Sequence, residues 1–355
     1  MISKQLVIVM TDRCNARCEI CGFSCGPERK NVINEHLLLD IIDQTPSIPG
    51  LDTIGFSGGE PTLFPDLLIK AAERARKKQL RVTLMTNGQW GKWPTARLIK
   101  FFQAFKPDAI HFSTDTFHRH FINDKTLGRA VAFTYAMGVQ AHISANSMRV
   151  GLSAQELWNQ MGTYKHLYPY CTYSALRYGR ATQFRRGDFS EMRFAEKCRC
   201  STGSRFSIVW NGIAKPCCKY EVFYSCLALG NAHDTPLSEM MINPVMELVQ
   251  LLEKEGFSSL LEAAKKVDPT LPVDNFSYGC GVCNELFRNP SFTRKYAPLI
   301  QPDATRKLVL ECLEYMEENT HFSGDQWIET DAKRSVTLKR GEEIETRKSS
   351  SAVSI

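Results

Sequence analysis

Six short β-rich runs alternate with helix-like stretches over the first 180 residues. The runs are 5–10, 53–57, 81–86, 109–113, 140–145 and 173–178. Between them, 34–44, 66–79, 95–105, 125–137 and 154–164 carry apolar residues at helical spacing opposite polar faces. Such alternation is the pattern of parallel strands joined by crossover helices, so an α/β fold is expected, either a partial barrel or a doubly wound sheet. In both architectures reactive groups gather in the loops after the strand C-terminal ends. The unusual clusters of this chain lie there: 11–27 after the first run, 58–62 after the second, 86–88 after the third and 113–118 after the fourth.

The chain has 355 residues, 43% hydrophobic and 23% charged, enough to bury a large core, and its length suits one large domain with an appendage or two domains. Past about residue 180 the pattern changes. Cysteines become dense, a hairpin is expected from 206–210 and 213–215 about an Asn211-Gly212 turn, and helical segments follow, which reads as a second, smaller domain. The expected division is 1–185, 186–300 and 301–355, the last an amphipathic helix from Asp303 to about Glu318 and a charged, Ser-rich tail. No internal repeat is present. No apolar run approaches the roughly 20 residues that span a bilayer, and 6–10 is the only apolar core of the opening stretch, so a cytoplasmic protein is expected. Thirteen cysteines without a secretion signal point to metal ligands or reactive thiols rather than disulfides.

Cys14, Cys18 and Cys21 form C-x3-C-x2-C directly after the first strand, in a loop too short to have a hydrophobic core of its own. Thiolates suit zinc or iron–sulfur clusters, and a cluster held by three protein ligands leaves one iron open to another molecule. The motif resembles the radical S-adenosylmethionine (SAM) superfamily, whose hallmark is this triad after the first strand of a partial (βα)6 TIM barrel. The resemblance implies a [4Fe-4S] cluster whose fourth iron binds SAM and whose electron cleaves it to a 5′-deoxyadenosyl radical. The residue before the last cysteine is usually aromatic in that family, and here it is Ile20. Gly58-Gly59-Glu60-Pro61 after the second strand resembles the family's motif for the methionine part of SAM, with glycines admitting close backbone approach and Glu60 able to accept from an ammonium. Ser113 and Asp115 are candidates for the ribose hydroxyls. Asn146 and Arg149 are candidates for the SAM carboxylate.

Cys200 and Cys217, spaced C-x11-G-x4-C about Gly212, together with Cys280 and Cys283 supply four thiolates. Four would close a cluster fully, and a four-thiolate zinc site has similar chemistry. The arrangement resembles the twitch domain, the one-cluster relative of the SPASM extension of radical SAM enzymes, and so implies one auxiliary [4Fe-4S] cluster. Cys198 also fits the spacing of the first ligand, although Cys200 is favoured. Cys218 is then left over beside iron, where a free thiol could donate a hydrogen atom; most free cysteines are small buried hydrophobes, which is the reading for Cys171, Cys226 and Cys312.

The run Cys14 to Pro27, the segments 86–91 and 113–118, the Gly212-x4-Cys217-Cys218 pair and Cys280 to Phe287 together resemble the epipeptide epimerases. That resemblance implies removal of a peptide Cα hydrogen by the adenosyl radical and return of a hydrogen from Cys218 with inversion. The alternatives are a twitch-type dehydrogenase or peptide maturase forming a new double, thioether or C–C bond, or an epimerase of an aminoglycoside-type sugar. An electron donor such as flavodoxin or ferredoxin is implied in each case. The charge of +6 is dispersed, and no basic tract with interleaved aromatics suggests a nucleic acid. The first strand begins almost at the first residue, so a peptide is expected to bind the barrel mouth and twitch region directly, near His118, His120 and Trp90.

Overall fold

The computed structural model describes residues 4–189, 199–200, 205–271 and 279–319. Strands β1 (Lys4–Val9), β2 (Leu51–Ser57), β3 (Arg81–Thr86), β4 (Ala109–Ser113), β5 (Gln140–Ser147) and β6 (Tyr170–Ser174) form a parallel run, each paired with the next. Between them lie α1 (Glu35–Gln44), α2 (Pro65–Lys77), α3 (Thr95–Phe105), the short α4 (Thr116–Arg119), α5 (Asp124–Ala136) and α6 (Ala154–Gln160). Caps set the helix starts. Asn34 accepts from the His36 and Leu37 N–H groups, and Ser153 and Glu156 form a capping box. The sixth strand starts three residues earlier than its sequence suggests. It lies at the sheet edge with both faces partly open, so it lacks the buried positions that mark the other five.

Alternation on the strands separates two environments. Leu6, Ile8, Ile54, Phe56, Val82, Leu84, Phe112 and Ile143 are fully buried against the apolar faces of α1, α2, α3 and α5, in one continuous core. Burial of this kind is worth roughly 1.5–3 kcal/mol per large side chain and is what holds the helices on the sheet. The opposite face is small and polar. Gln5 Nε2 donates to Thr83 Oγ1 at 3.2 Å across Gly55, and His111, Ser113, Ser144 and Asn146 continue that face, each only half-buried. A packed barrel fills its inside with branched apolar residues. This inner face instead leaves a polar hollow.

Strand β7 (Arg205–Val209) pairs in parallel with β1, and β8 (Ile213–Lys215) and β9 (Gly230–Asn231) add antiparallel beyond it, giving the order β6-β5-β4-β3-β2-β1-β7-β8-β9. Residues from 186 onward, read from sequence as a unit of their own, thus share the barrel's sheet. Their helices α7 (Leu237–Met240), α8 (Pro244–Glu255), α9 (Ser258–Val267), α10 (Gly279–Leu286), α11 (Pro290–Tyr296) and α12 (Asp303–Asn319) contribute to the same core, and Tyr315 of α12 donates to the Leu229 carbonyl at 2.7 Å. Cys226 and Cys312 are buried there as packing residues. Cys198 and the expected tail beyond residue 319 lie outside the described residues. No helix among the described residues is long and apolar enough to cross a membrane.

Candidate functional site

The loop leaving β1 closes on itself. Cys14 N–H donates to the Gly26 carbonyl at 3.1 Å, Gly26 N–H to the Asp12 carbonyl at 3.2 Å, and Asp12 is held through its carboxylate by Asn31. Within this closed loop Cys14 and Cys18 are buried and Cys21 is half-buried, all in a small apolar cluster with Ile20, Phe117, Met148, Ala175 and Ala181. Those partners come from the ends of β4, β5 and β6, so one mouth does collect the loops. Backbone N–H groups point at sulfur, Ala16 to Cys14 Sγ and Cys25 to Cys21 Sγ, each at 3.4 Å. Burial, reinforced by Glu60, pushes the Cys14 thiol up. A bond from Cys25, aided by the Arg180 charge against the cost of burial, pulls the Cys21 thiol down to about 6. Three thiols in an apolar shell with amide donors on sulfur fit an iron–sulfur cluster, whose thiolates such bonds stabilise.

The two glycines after β2 also let this loop pack on the protein's own backbone. A Cβ on Gly59 would lie 2.1 Å from the Arg13 carbonyl oxygen, and one on Gly58, at φ +133°, 2.4 Å from that of Thr11. Their backbone approaches the cysteine loop itself: Gly59 N–H donates to Thr11 at 2.7 Å and Glu60 N–H to Arg13 at 2.9 Å. Glu60 is fully buried, and its carboxylate accepts from Thr62 N–H and Oγ1, from Thr86 Oγ1 at 2.9 Å and from Asn87 N–H at 2.8 Å. Burial raises its pKa in spite of these bonds. Asn87 in turn reaches Cys14 Sγ at 3.7 Å and Asn15 at 3.0 Å. The carboxylate therefore ties the ends of β2 and β3 to the first cysteine.

Ser113 lies half-buried on the inner face at the end of β4. Asp115 is fully buried, with Oδ1 capping α4 through the Phe117 and His118 N–H groups and Oδ2 2.8 Å from His118 Nδ1. Against its burial, His118 holds the Asp115 carboxyl below the usual range. Against its own burial, Asp115 and Cys18 raise His118 well above 6.5. Asn146 faces inward opposite Tyr173 of β6, whereas Arg149 is exposed and its N–H donates to the Asp188 carbonyl. Trp90 is core, packed on Phe102 and Phe112, and His120 is exposed.

The residues around the loop that sequence reading missed are distant in the chain. Arg180 Nε donates to the Cys18 carbonyl at 2.9 Å and its Nη2 to that of Cys25 at 2.5 Å, while Tyr224 donates to Gly22. Deeper in the hollow, His111 and His142 sit side by side on β4 and β5, Nδ1 to Nε2 at 3.0 Å. Burial, with His142 and Arg205 adding to it, lowers His111 to about 4, and burial and Arg205 lower His142. Between pH 6.5 and about 4 the unfolded chain therefore binds a proton at His111 that the folded chain does not, so stability falls as pH drops through that window. A loss of about 1–3 kcal/mol is expected, with allowance for solvent screening. Urea unfolding of His111→Gln at pH 7 and pH 5 should show a smaller difference than the unsubstituted protein, and equal differences would remove the assignment.

Of the second group, Cys200 N–H donates to the Leu252 carbonyl at the end of α8. Cys217 is pushed well up by burial first, then by Cys218, Cys283 and Cys280, although among the described residues no three such side chains come together as a metal-holding group. Ser207 Oγ fixes the Cys217 carbonyl at 2.7 Å. Lys215, two residues before Cys217, is fully buried and donates to the Ser225 and Leu227 carbonyls at 3.1 and 2.8 Å. Cys218 has cations beside it. Its thiol is raised by burial and opposed by Arg205 and Lys219, and Lys219 Nζ lies 5.6 Å over the Tyr173 ring, on the inner face of β6. Cys171 shares that face, its thiol 3.4 Å from Tyr173 Oη, and so is not simply a core residue.

Residues 8–136 match the family model described as the Radical SAM superfamily. The chain is 21% identical over 315 residues, 85% of this chain and 97% of the relative, to YydG of Bacillus subtilis (strain 168), described as a peptide biosynthesis protein. It is 31% identical over 113 residues to the tungsten-containing aldehyde ferredoxin oxidoreductase cofactor-modifying protein of Pyrococcus furiosus, across 32% of this chain and 31% of that one. The solved structure of anSMEcpe with bound AdoMet has the same fold, with a TM-score of 0.54 at 17% identity over 84% of this chain and 98% of that chain.

Proposed function

We propose that this member of the radical SAM superfamily inverts a carbon centre of a peptide, with Cys218 as the hydrogen donor. Its family implies a [4Fe-4S] cluster and SAM, which when bound at Cys14, Cys18 and Cys21 supply a 5′-deoxyadenosyl radical able to remove a carbon-bound hydrogen. The chain's own residues do the rest. The Glu60–Asn87 network orients the first cysteine, and Ser113 and Asn146 face the hollow where a nucleotide and substrate would meet. Cys200, Cys217, Cys280 and Cys283 are the residues that would hold an auxiliary cluster of the twitch type.

One observation carries the reading: the Cys218 thiol lies beside Arg205 and Lys219, and the Lys219 ammonium sits over the Tyr173 ring of β6, while the neighbouring Cys217 is influenced by Cys283 and Cys280. Burial holds Cys218 protonated, the state in which a thiol can deliver hydrogen. Delivery to the face opposite abstraction leaves a thiyl radical, which one electron from a donor such as ferredoxin or flavodoxin and one solvent proton return to the thiol. Likeness to a peptide biosynthesis protein across most of both chains supports a peptide over a sugar.

Turnover in deuterium oxide tests this. A single deuterium is expected at the inverted carbon of the product, delivered through the exchangeable thiol. Product lighter by two hydrogens and free of deuterium would instead establish a dehydrogenase or cross-linking maturase.

A further inference from the structure

Charge on the inner face bears on which peptide would fit. Register sets the geometry: His111 pairs with His142, Ser144 with Cys171 and Asn146 with Tyr173, so these side chains share the hollow. Arg205 starts β7 on the same face as Gln5 of β1, which itself points inward to Thr83. Lys219 follows Cys218 in the chain and lies over the Tyr173 ring at 5.6 Å, and both cations act on the Cys218 thiol. Among the described residues neither Arg205 nor Lys219 forms an ion pair with a carboxylate, whereas the acids nearest the mouth, Glu60 and Asp115, are fully buried and already bonded. The Arg205 side chain is solvent-accessible and Lys219 half-buried. The hollow thus offers two cations, neither ion-paired among the described residues, and a hydrogen-bonded imidazole pair.

We propose that the hollow selects a peptide bearing a carboxylate side chain beside the reacting residue, received by Arg205 and Lys219, with the His111–His142 pair as its hydrogen-bonding floor. This rests on the reading of Cys218 as the donor, since the same two cations flank that thiol and a carboxylate held between them fixes the neighbouring Cα in front of it. An acidic neighbour is a specificity element of substantial weight. A charge pair in a partly desolvated hollow discriminates between a carboxylate and its neutral amide by about tenfold.

Equilibrium titration of the reconstituted holoenzyme, with SAM bound, by two short blocked peptides differing only in a central Asp or Asn measures this without turnover. The Asp peptide is expected to bind about tenfold tighter at low salt. That preference should shrink to within about twofold in an Arg205→Gln/Lys219→Gln double variant and persist in Arg205→Lys, which keeps the charge. Circular dichroism and iron content of the double variant, unchanged from the parent, show that its fold is intact. Equal affinity for the two peptides, a preference that survives loss of both cations, or no binding of the Asp peptide up to about 5 mM would overturn the proposal. Binding and turnover fail separately: a charge preference without deuterium in the product refutes the donor reading alone, and deuterium without a charge preference refutes this inference alone.

Discussion

Cys218→Ala is expected to lower product formation by at least about 100-fold while SAM is still cleaved to 5′-deoxyadenosine. The residue lies outside the apolar cluster of Cys14, Cys18 and Cys21 and is not one of the four expected auxiliary ligands, so neither set of cysteines loses a member. What disappears is a thiol that burial keeps protonated beside Arg205 and Lys219. Cys218→Ser should be equally inactive, because an O–H bond is too strong to give hydrogen to a carbon radical. Chromatography of deoxyadenosine and chiral analysis of the product read the two halves separately. Full product formation by Cys218→Ala with iron content unchanged would falsify the donor assignment.

Gly59→Ala should be as damaging by an unrelated route. A Cβ 2.1 Å from the Arg13 oxygen and 2.6 Å from its carbon meets backbone, which cannot rotate away as a side chain would. The loop after β2 must then lift off the cysteine loop and lose the bonds from Gly59 to Thr11 and from Glu60 to Arg13, each worth about 1 kcal/mol before strain is added. Glu60 moves with it, and Asn87 and Cys14 lose their anchor. Iron bound at the N-terminal triad and deoxyadenosine formation are both expected to fall by about tenfold or more. Gly187→Ala, with nothing within 4 Å of the added carbon, is the control that should change neither. Retention of full iron by Gly59→Ala would mean that the two loops are not docked through these contacts.

Much of this site can be read along the chain, and the rest cannot, for reasons particular residues make plain. The cysteine triad, the four later cysteines and Cys218 are local spacings, and local spacing is what chemistry at a loop requires. Glu60 reads as a ligand acceptor because a carboxylate in a glycine loop has that capacity. Burial and four bonds from Thr62, Thr86 and Asn87 show in addition that it ties the framework together. Asp115 is similar, a strand-end acid that the short helix α4 uses as its cap. His111 and His142 lie 31 residues apart and each looks like any other strand residue. Only the register of β4 on β5 makes them neighbours.

The sequence by itself determined the βα alternation, the helix starts and the thiol clusters, because each depends on residues within a few positions of one another. The tertiary structure decided that β7 runs beside β1 some 200 residues away in the chain, that Arg180 and Tyr224 clasp the cysteine loop, and that the Cys218 thiol meets Arg205 of β7. Those are contacts between segments whose spacing leaves no periodic trace, fixed only when the sheet curves and its two faces are assigned, one to the core and one to the hollow.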